Sequence, residues 1–306
     1  TLARLAFPVM GTSLIQMGYN LVDMIWIGRL GSNAVAAVGA AGMFMWFANG
    51  LTTIPRIGGQ VNIGQSLGAE RTEAAAEYAR GALRMGAFLG ILYGIISVVF
   101  HRQLIDFFML NSPKVIQDAR VYLLITCGLV VFSFLDQVLG GILAAMGNTV
   151  TTFRVTTIGL VLNLVLDPLL IFGIGPIPRL EVAGAALATV FAQIIVFVLY
   201  VKSVWKEPLI FGNLHLMKRT KRRYIKDILV IGFPPAVQDA LFSAISMVIA
   251  RLIAGWGDAA VAVQKVGSQI ESISWMTAGG FSTAVNAFVA QNYGADKPER
   301  IKKGVQ

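Results

Sequence analysis

Gly184-Ala185-Ala186-Leu187-Ala188-Thr189-Val190-Phe191-Ala192-Gln193-Ile194-Ile195-Val196-Phe197-Val198-Leu199-Tyr200-Val201 runs for eighteen residues without a charge. As a helix it reaches about 27 Å at 1.5 Å per residue, close to the ~30 Å hydrocarbon core of a bilayer. Lipid offers exposed peptide groups no partner, so a helix is the form in which such a run can cross. Scanning outward from it finds further apolar stretches, and together they predict spans near 5–28, 34–66, 81–100, 120–144, 152–174, 182–203, 228–254 and 259–291. The second and eighth are long enough to tilt or to project beyond the bilayer. Composition agrees: 56% of the 306 residues are hydrophobic and 13% are charged, against about 25% charged in a soluble domain. These features predict an all-α polytopic membrane protein and argue against a soluble enzyme or a disordered or fibrous chain.

The net charge of +9 is read as basic cytoplasmic loops rather than nucleic-acid binding. With the N-terminus inside, seventeen Lys and Arg fall on the cytoplasmic side, against Arg29, Arg102, Lys114, Arg120 and Arg179 outside. Arg56, Arg251 and Lys265 lie within spans. The run Lys218-Arg219-Thr220-Lys221-Arg222-Arg223 then belongs to a cytoplasmic linker, where it orients the chain and attracts anionic headgroups. Cys127 lies in an apolar run and reads as a small buried hydrophobe. His101 and His215 stand far apart, which gives a metal site no support. The sequence opens on Thr1-Leu2-Ala3 with neither an initiator Met nor a small-residue cleavage site. The start is therefore expected to be trimmed, with the first span as the targeting signal.

A shift of 226 residues superposes the start of the sequence on its end without a gap. Phe7-Pro8 meets Phe233-Pro234, Gly31 meets Gly257, and Ala34-Val35-Ala36 meets Ala260-Val261-Ala262. Gln65, Gly68, Ala69 and Glu73 meet Gln291, Gly294, Ala295 and Glu299. Six predicted spans separate the copies, an even number, so both enter the membrane in the same direction. That is the pattern of a two-lobe transporter whose parallel repeats are related by an axis along the membrane normal. The predicted organisation is an N-terminal lobe over 1–204, a basic linker over 205–227 and a partial second lobe over 228–306. Four helices of the second copy are expected to be missing, and the truncated chain is not expected to transport alone.

Acids at mid-membrane cost a few kcal/mol or more and mark function. Asp23 lies in span one with Asn20 at i−3, and Asn163 and Asp167 share a face of span five at i, i+4. Thr189 lies in span six. Counting inward from the outer helix ends puts Asp23 roughly 7 Å deep, and Asp167 and Thr189 roughly 10 Å deep. Oxygens of this kind at one level suit Na⁺, and two neighbouring carboxylates also suit proton storage; ordinary interhelical hydrogen bonds are the alternative for each. Pro8 and Pro168 remove backbone donors and can bend their helices, Pro168 directly beside the acid. Asp136-Gln137 in span four could line an inner cavity or tie helices together. Gly86, Gly90 and Gly94 form a small-residue packing face. Asp23 repeats as Ile249, so the lobes differ chemically. Asp239, Arg251, Lys265 and Glu271 in the second lobe could pair with each other or with the missing helices.

These residues resemble the multidrug and toxic compound extrusion (MATE) family of secondary transporters, as the first eight of twelve helices. The resemblance rests on Asp23 and Gln65-Ser66-Leu67-Gly68-Ala69, then Ala144-Ala145-Met146-Gly147-Asn148-Thr149, Asn163-x-x-x-Asp167-Pro168 and Gly184-Ala185-Ala186-x-Ala188-Thr189. It implies two six-helix bundles in a V that export organic cations or other amphipathic compounds in exchange for Na⁺ or H⁺. The cation or proton site would match Asp23, Asn163, Asp167 and Thr189. Some members carry a Glu in helix seven; Gly232 to Ser243 contains none, which favours the first lobe.

The reading is therefore an antiporter of the plasma membrane, multi-pass and monomeric, surrounded by lipid and needing no cofactor beyond the coupling ion. A lipid-linked glycan flippase of the same architecture is the rival. Its anionic substrate would need basic residues, and Arg56 is the deep cation of the first lobe, against Asp23, Asp136 and Asp167. An enzyme is not expected, because no nucleophile or metal set converges.

Overall fold

The computed structural model describes residues 2–108, 110, 112–173, 178–204, 220–254 and 258–305. Among them the chain forms α1 (Leu2–Gly28), α2 (Ser32–Gly68), α3 (Thr72–Val99), α4 (His101–Asp106), α5 (Pro113–Gly128) and α6 (Val131–Ala145). It continues with α7 (Thr149–Phe172), α8 (Glu181–Val204), α9 (Arg222–Ala254), α10 (Asp258–Gly294) and α11 (Pro298–Val305). By length and composition α2, α3, α7, α8 and the Arg222–Ser246 part of α9 can cross a membrane, and α5 with α6 makes a sixth crossing if the bent pair is one span. α1 and α10, at 27 and 37 residues, have the necessary length. The linker residues 205–219, including His215, Lys218 and Arg219, lie outside the described residues.

Span four departs from the expectation of one continuous helix. It begins earlier, at Pro113 as the first helical residue, where a missing N–H costs nothing. It then breaks after Gly128, with α5 and α6 meeting at a 45° bend. The glycines of α3 press on this break. A Cβ at Gly94 would sit 3.1 Å from the Gly128 carbonyl oxygen, and one at Gly90 would sit 2.9 Å from the Val131 Cα. Gly86 takes Val138 on the next turn. The opposite face of α3 exposes Phe88, Ile91, Leu92, Ile95 and Val99. Large apolar side chains point outward to lipid while small ones bring backbones together, because lipid is as apolar as they are and close packing supplies the attraction. Cys127 is fully buried in the cluster of Ile27, Ala37, Tyr122, Leu123, Ile171 and Ala185.

The repeat is visible in the backbone. Glu70 and Asp296, 226 residues apart, both adopt positive φ (59° and 52°). Arg71 N donates to the Ser66 carbonyl at 2.8 Å, and Lys297 N donates to the Asn292 carbonyl at 3.0 Å. These six-residue closures satisfy helix-end carbonyls in the same way in both copies. Repeat partners also pack against each other reciprocally: a Cβ at Gly68 would collide with the Gln291 carbonyl, and one at Gly294 with the Gln65 carbonyl. α2 further fits Gly58 against the Ile228 carbonyl, while Gly232 of α9 fits against Ile54. α1 meets α10 where Gly280 faces Met10 and Ser13. The two lobes therefore close on each other at the end holding the α2–α3 and α6–α7 turns and the start of α9, the basic end. At the other end Lys114 pairs with Glu181 at 3.3 Å, Arg179 with Glu181 at 3.2 Å and Arg120 with Asp106 at 2.7 Å. Three of the five cations there are thus paired, two of them sharing Glu181.

Gly232→Leu is expected to part α2 from α9 and cost about 1–3 kcal/mol, as overpacking does, read as a lower melting temperature in detergent. Gly18→Ala, with nothing within 4 Å, should be neutral or stabilising by up to about 1 kcal/mol. Equal melting temperatures for the two variants would show that the glycine contact is not tight.

Candidate functional site

Close approach of α7 and α8 builds the first lobe's interior. Gly184 abuts the Leu170 carbonyl, leaving no room for a Cβ, and that same carbonyl accepts from Leu180 N at 3.1 Å. One turn and a half further along α8, Thr189 meets α1. Its hydroxyl donates to the Ala185 carbonyl at 3.0 Å. Its contact with Tyr19 Oη at 3.2 Å is therefore one in which the tyrosine donates, a hydroxyl having a single proton.

Tyr19 is one turn from Asp23 on α1, and both lie within electrostatic reach of Asp167 and Tyr122. Asn163 and Asp167 are each 1% exposed. Asp23 Oδ1, both Asp167 carboxylate oxygens and both terminal atoms of Asn163 are buried with no hydrogen-bond partner. Buried polar atoms are nearly always satisfied, so this group on α1 and α7, in which Asn163 lies within interaction distance of Asp167, is the candidate site of the first lobe. Pro168 lies within α7, where its ring deprives the Leu164 carbonyl of its helical donor beside the acids. Pro8 lies within α1, toward the α1–α10 contact and away from this cluster.

The structure thus brings together Asp23, Asn163, Asp167 and Thr189. The Asn20 side chain lies outside the described residues. Tyr19 and Tyr122 were not singled out from sequence. Tyr19 is legible there, at i−4 from Asp23, whereas Tyr122 is four helices away in the chain order and only packing delivers it. Asp136 and Gln137 are separated. Gln137 Nε2 donates to Asn49 Oδ1 at 2.8 Å on an exposed surface, while Asp136 Oδ1 is buried without a partner. Between the lobes, Thr53 Oγ1 donates to Asp239 Oδ2 at 2.9 Å, and Arg56 feels the same carboxylate. Gln60 Nε2 reaches the Thr283 carbonyl at 3.2 Å, and Gln291 Nε2 reaches that of Ala145. Glu271 accepts from Trp275 Nε1 at 3.1 Å. The side chains of Arg251 and Lys265 lie outside the described residues.

A glycine-packed two-lobe helical bundle with several helices long and apolar enough to cross a bilayer defines a multi-pass membrane protein. The MatE family model matches residues 8–169 and 234–306, and the chain belongs to that family. It is 27% identical over 304 residues to the probable multidrug resistance protein NorM of Thermotoga maritima, covering 98% of this chain and 64% of that one. It is likewise 27% identical over 311 residues to the FAD transporter of Shewanella oneidensis, covering 99% and 67%. A solved transporter of the MOP superfamily from Pyrococcus furiosus superposes with a TM-score of 0.88 at 25% identity, over 98% of this chain and 66% of that one. A multidrug resistance MATE family transporter in an outward-facing conformation gives 0.89 at 24%, over 99% and 66%, and shows the shared fold. The chain spans about two thirds of the length of the relatives it matches.

A cation that fills the cluster should stabilise the fold by about 2.7 kcal/mol at a hundredfold excess over its Kd. Na⁺ or acidification is therefore expected to raise the wild-type melting temperature, and Asp167→Asn to abolish that rise while melting no lower in the absence of the ion. A variant that keeps the full ion-dependent rise would remove Asp167 from the site.

Proposed function

We propose that the protein is a secondary active efflux antiporter that exports organic cations or other amphipathic compounds in exchange for Na⁺ or H⁺. The observation that carries this reading is the set of buried, unpartnered oxygens of Asp23 and Asp167 on two helices of one lobe. The basic end is taken as cytoplasmic, following the Lys and Arg bias, in a plasma-membrane protein that acts as a monomer with its N-terminus inside. In that orientation the lobes meet at the cytoplasmic end, and the acid cluster sits nearer the outer end, where an entering ion arrives first.

Binding of Na⁺ or H⁺ neutralises the acids, removes the repulsion between them and lets α1 repack against α7. The drug favours the other facing state. Coupling requires only that each ligand bind the two states with different affinity. Apolar cations are the substrates that fit best with a lobe rich in acids. The flippase reading draws less support, because Arg56 is the deep cation of a lobe that also holds Asp23, Asp136 and Asp167, and it lies in the field of the Asp239 carboxylate.

Fluorescent-cation uptake into inside-out vesicles, carrying the transporter as its gene encodes it, tests the proposal under separate Na⁺ and pH gradients. Wild type should accumulate the dye under one gradient, and Asp167→Asn should lose that dependence by tenfold or more. Equal uptake by both would move coupling elsewhere. No wild-type uptake under either gradient would reject the antiporter.

A further inference from the structure

Eleven residues of α-helix make about three turns, so positions eleven apart share a face. Moving eleven residues from the cluster members on α7 and α8 toward the basic end leads from Asn163 to Thr152, from Asp167 to Thr156 and from Thr189 to Tyr200. The same faces of α7 and α8 therefore carry a second set of oxygens, roughly 16 Å from the first.

These oxygens come together. Thr156 Oγ1 and Tyr200 Oη are 3.5 Å apart, and Tyr200 is 3% exposed. Gly140 of α6 closes the third side: a Cβ there would lie 3.4 Å from Tyr200 Oη and 3.7 Å from Thr152 Cγ2. Asp136 is one turn from Gly140 on the same face of α6 and acts electrostatically on Tyr200. Thr152 lies within interaction distance of the Tyr200 hydroxyl, and Asp136 Oδ1 is buried with no hydrogen-bond partner. A purely structural polar cluster would satisfy that oxygen, since an unpaired buried carboxylate oxygen is among the costliest groups to keep. Between the two sets α7 and α8 touch tightly, Val196 occupying the space where Gly159 lacks a side chain. That contact is an apolar partition between them. Among the charged groups on the helices packed around Asp136, Arg56 of α2 lies in the field of Asp239, Arg154 of α7 and Lys202 of α8 are exposed, and Arg84 of α3 has a partner of its own.

We propose that Asp136, Thr152, Thr156 and Tyr200 form a second monovalent-cation site, three turns along the same helical faces, that holds the coupling Na⁺ or H⁺ between the outer acid cluster and the basic end. Carboxylate and hydroxyl oxygens provide for either ion, and the hydroxyls can also pass a proton. The site rests on the antiporter reading for its role but not for its existence, and the two can be separated experimentally.

The test counts ions on the purified protein. Radioactive Na⁺ is measured by equilibrium dialysis, and protonated carboxylic acids are measured by infrared difference spectra across a pH titration in Na⁺-free solution. For Na⁺, wild type is expected to bind two ions, with Asp136→Asn and Asp167→Asn each binding one. For H⁺, wild type is expected to show two titrating carboxylic bands, with each variant lacking a different one. Tyr200→Phe guards against misfolding: it should keep the count but weaken the step lost in Asp136→Asn by about tenfold, the value of a hydrogen bond to a charged group. Wild-type counts and bands in Asp136→Asn would overturn the second site, whatever Asp167→Asn does. Loss of one ion in Asp136→Asn with none lost in Asp167→Asn would leave the second site standing and remove the outer cluster from coupling.

Discussion

A carboxylate inside a membrane must be matched by something, and in the first lobe of this protein the match for Asp167 is slight. Asp167 is 1% exposed, its oxygens make no close hydrogen bond, and the group closest to serving as a donor is Asn163 one turn earlier. Such an arrangement persists only if the surrounding packing is strong enough to hold it. Helix geometry, proline placement and lobe asymmetry all bear on that point. Pro168 frees a carbonyl next to the acid, α8 approaches closely enough to bring Thr189 to Tyr19 of α1, and the second lobe places Ile249 where the first has Asp23.

The packing that holds the site comes from absent side chains. Gly184 lets α8 rest on an α7 carbonyl, Gly86, Gly90 and Gly94 seat α3 on the broken fourth span, and Gly68 and Gly294 lock the repeats together reciprocally. In water, burying large apolar groups would stabilise such contacts. In lipid the large groups gain nothing by turning inward, so Phe88, Ile91 and Ile95 face out and the glycines face in.

Much of this was legible in the chain. The eight apolar runs, the 226-residue offset and the Asn163–Asp167 spacing each follow from periodicity, and the structure places helices and equivalent turns at those positions. The bend at Gly128 was not legible, because no proline marks it; it arises where α3 glycines press on that backbone. Tyr122 was equally hidden, since nothing in its neighbourhood on α5 refers to Asp23 or Asp167. Asp136 and Gln137 looked like a pair, yet adjacent helical residues point about 100° apart, and they serve different surroundings.

The sequence by itself determined that the chain is helical and membrane-spanning, that its two ends repeat in parallel, and that Asp23 of the first copy becomes Ile249 in the second. Those properties are set by hydropathy, by a constant offset and by residue identity, all of which are local or linear. Tertiary structure decided which oxygens meet, which remain unpartnered, and where the lobes touch. These depend on how closely helices approach and how each is rotated, and a single glycine contact hundreds of residues away in the chain can change both.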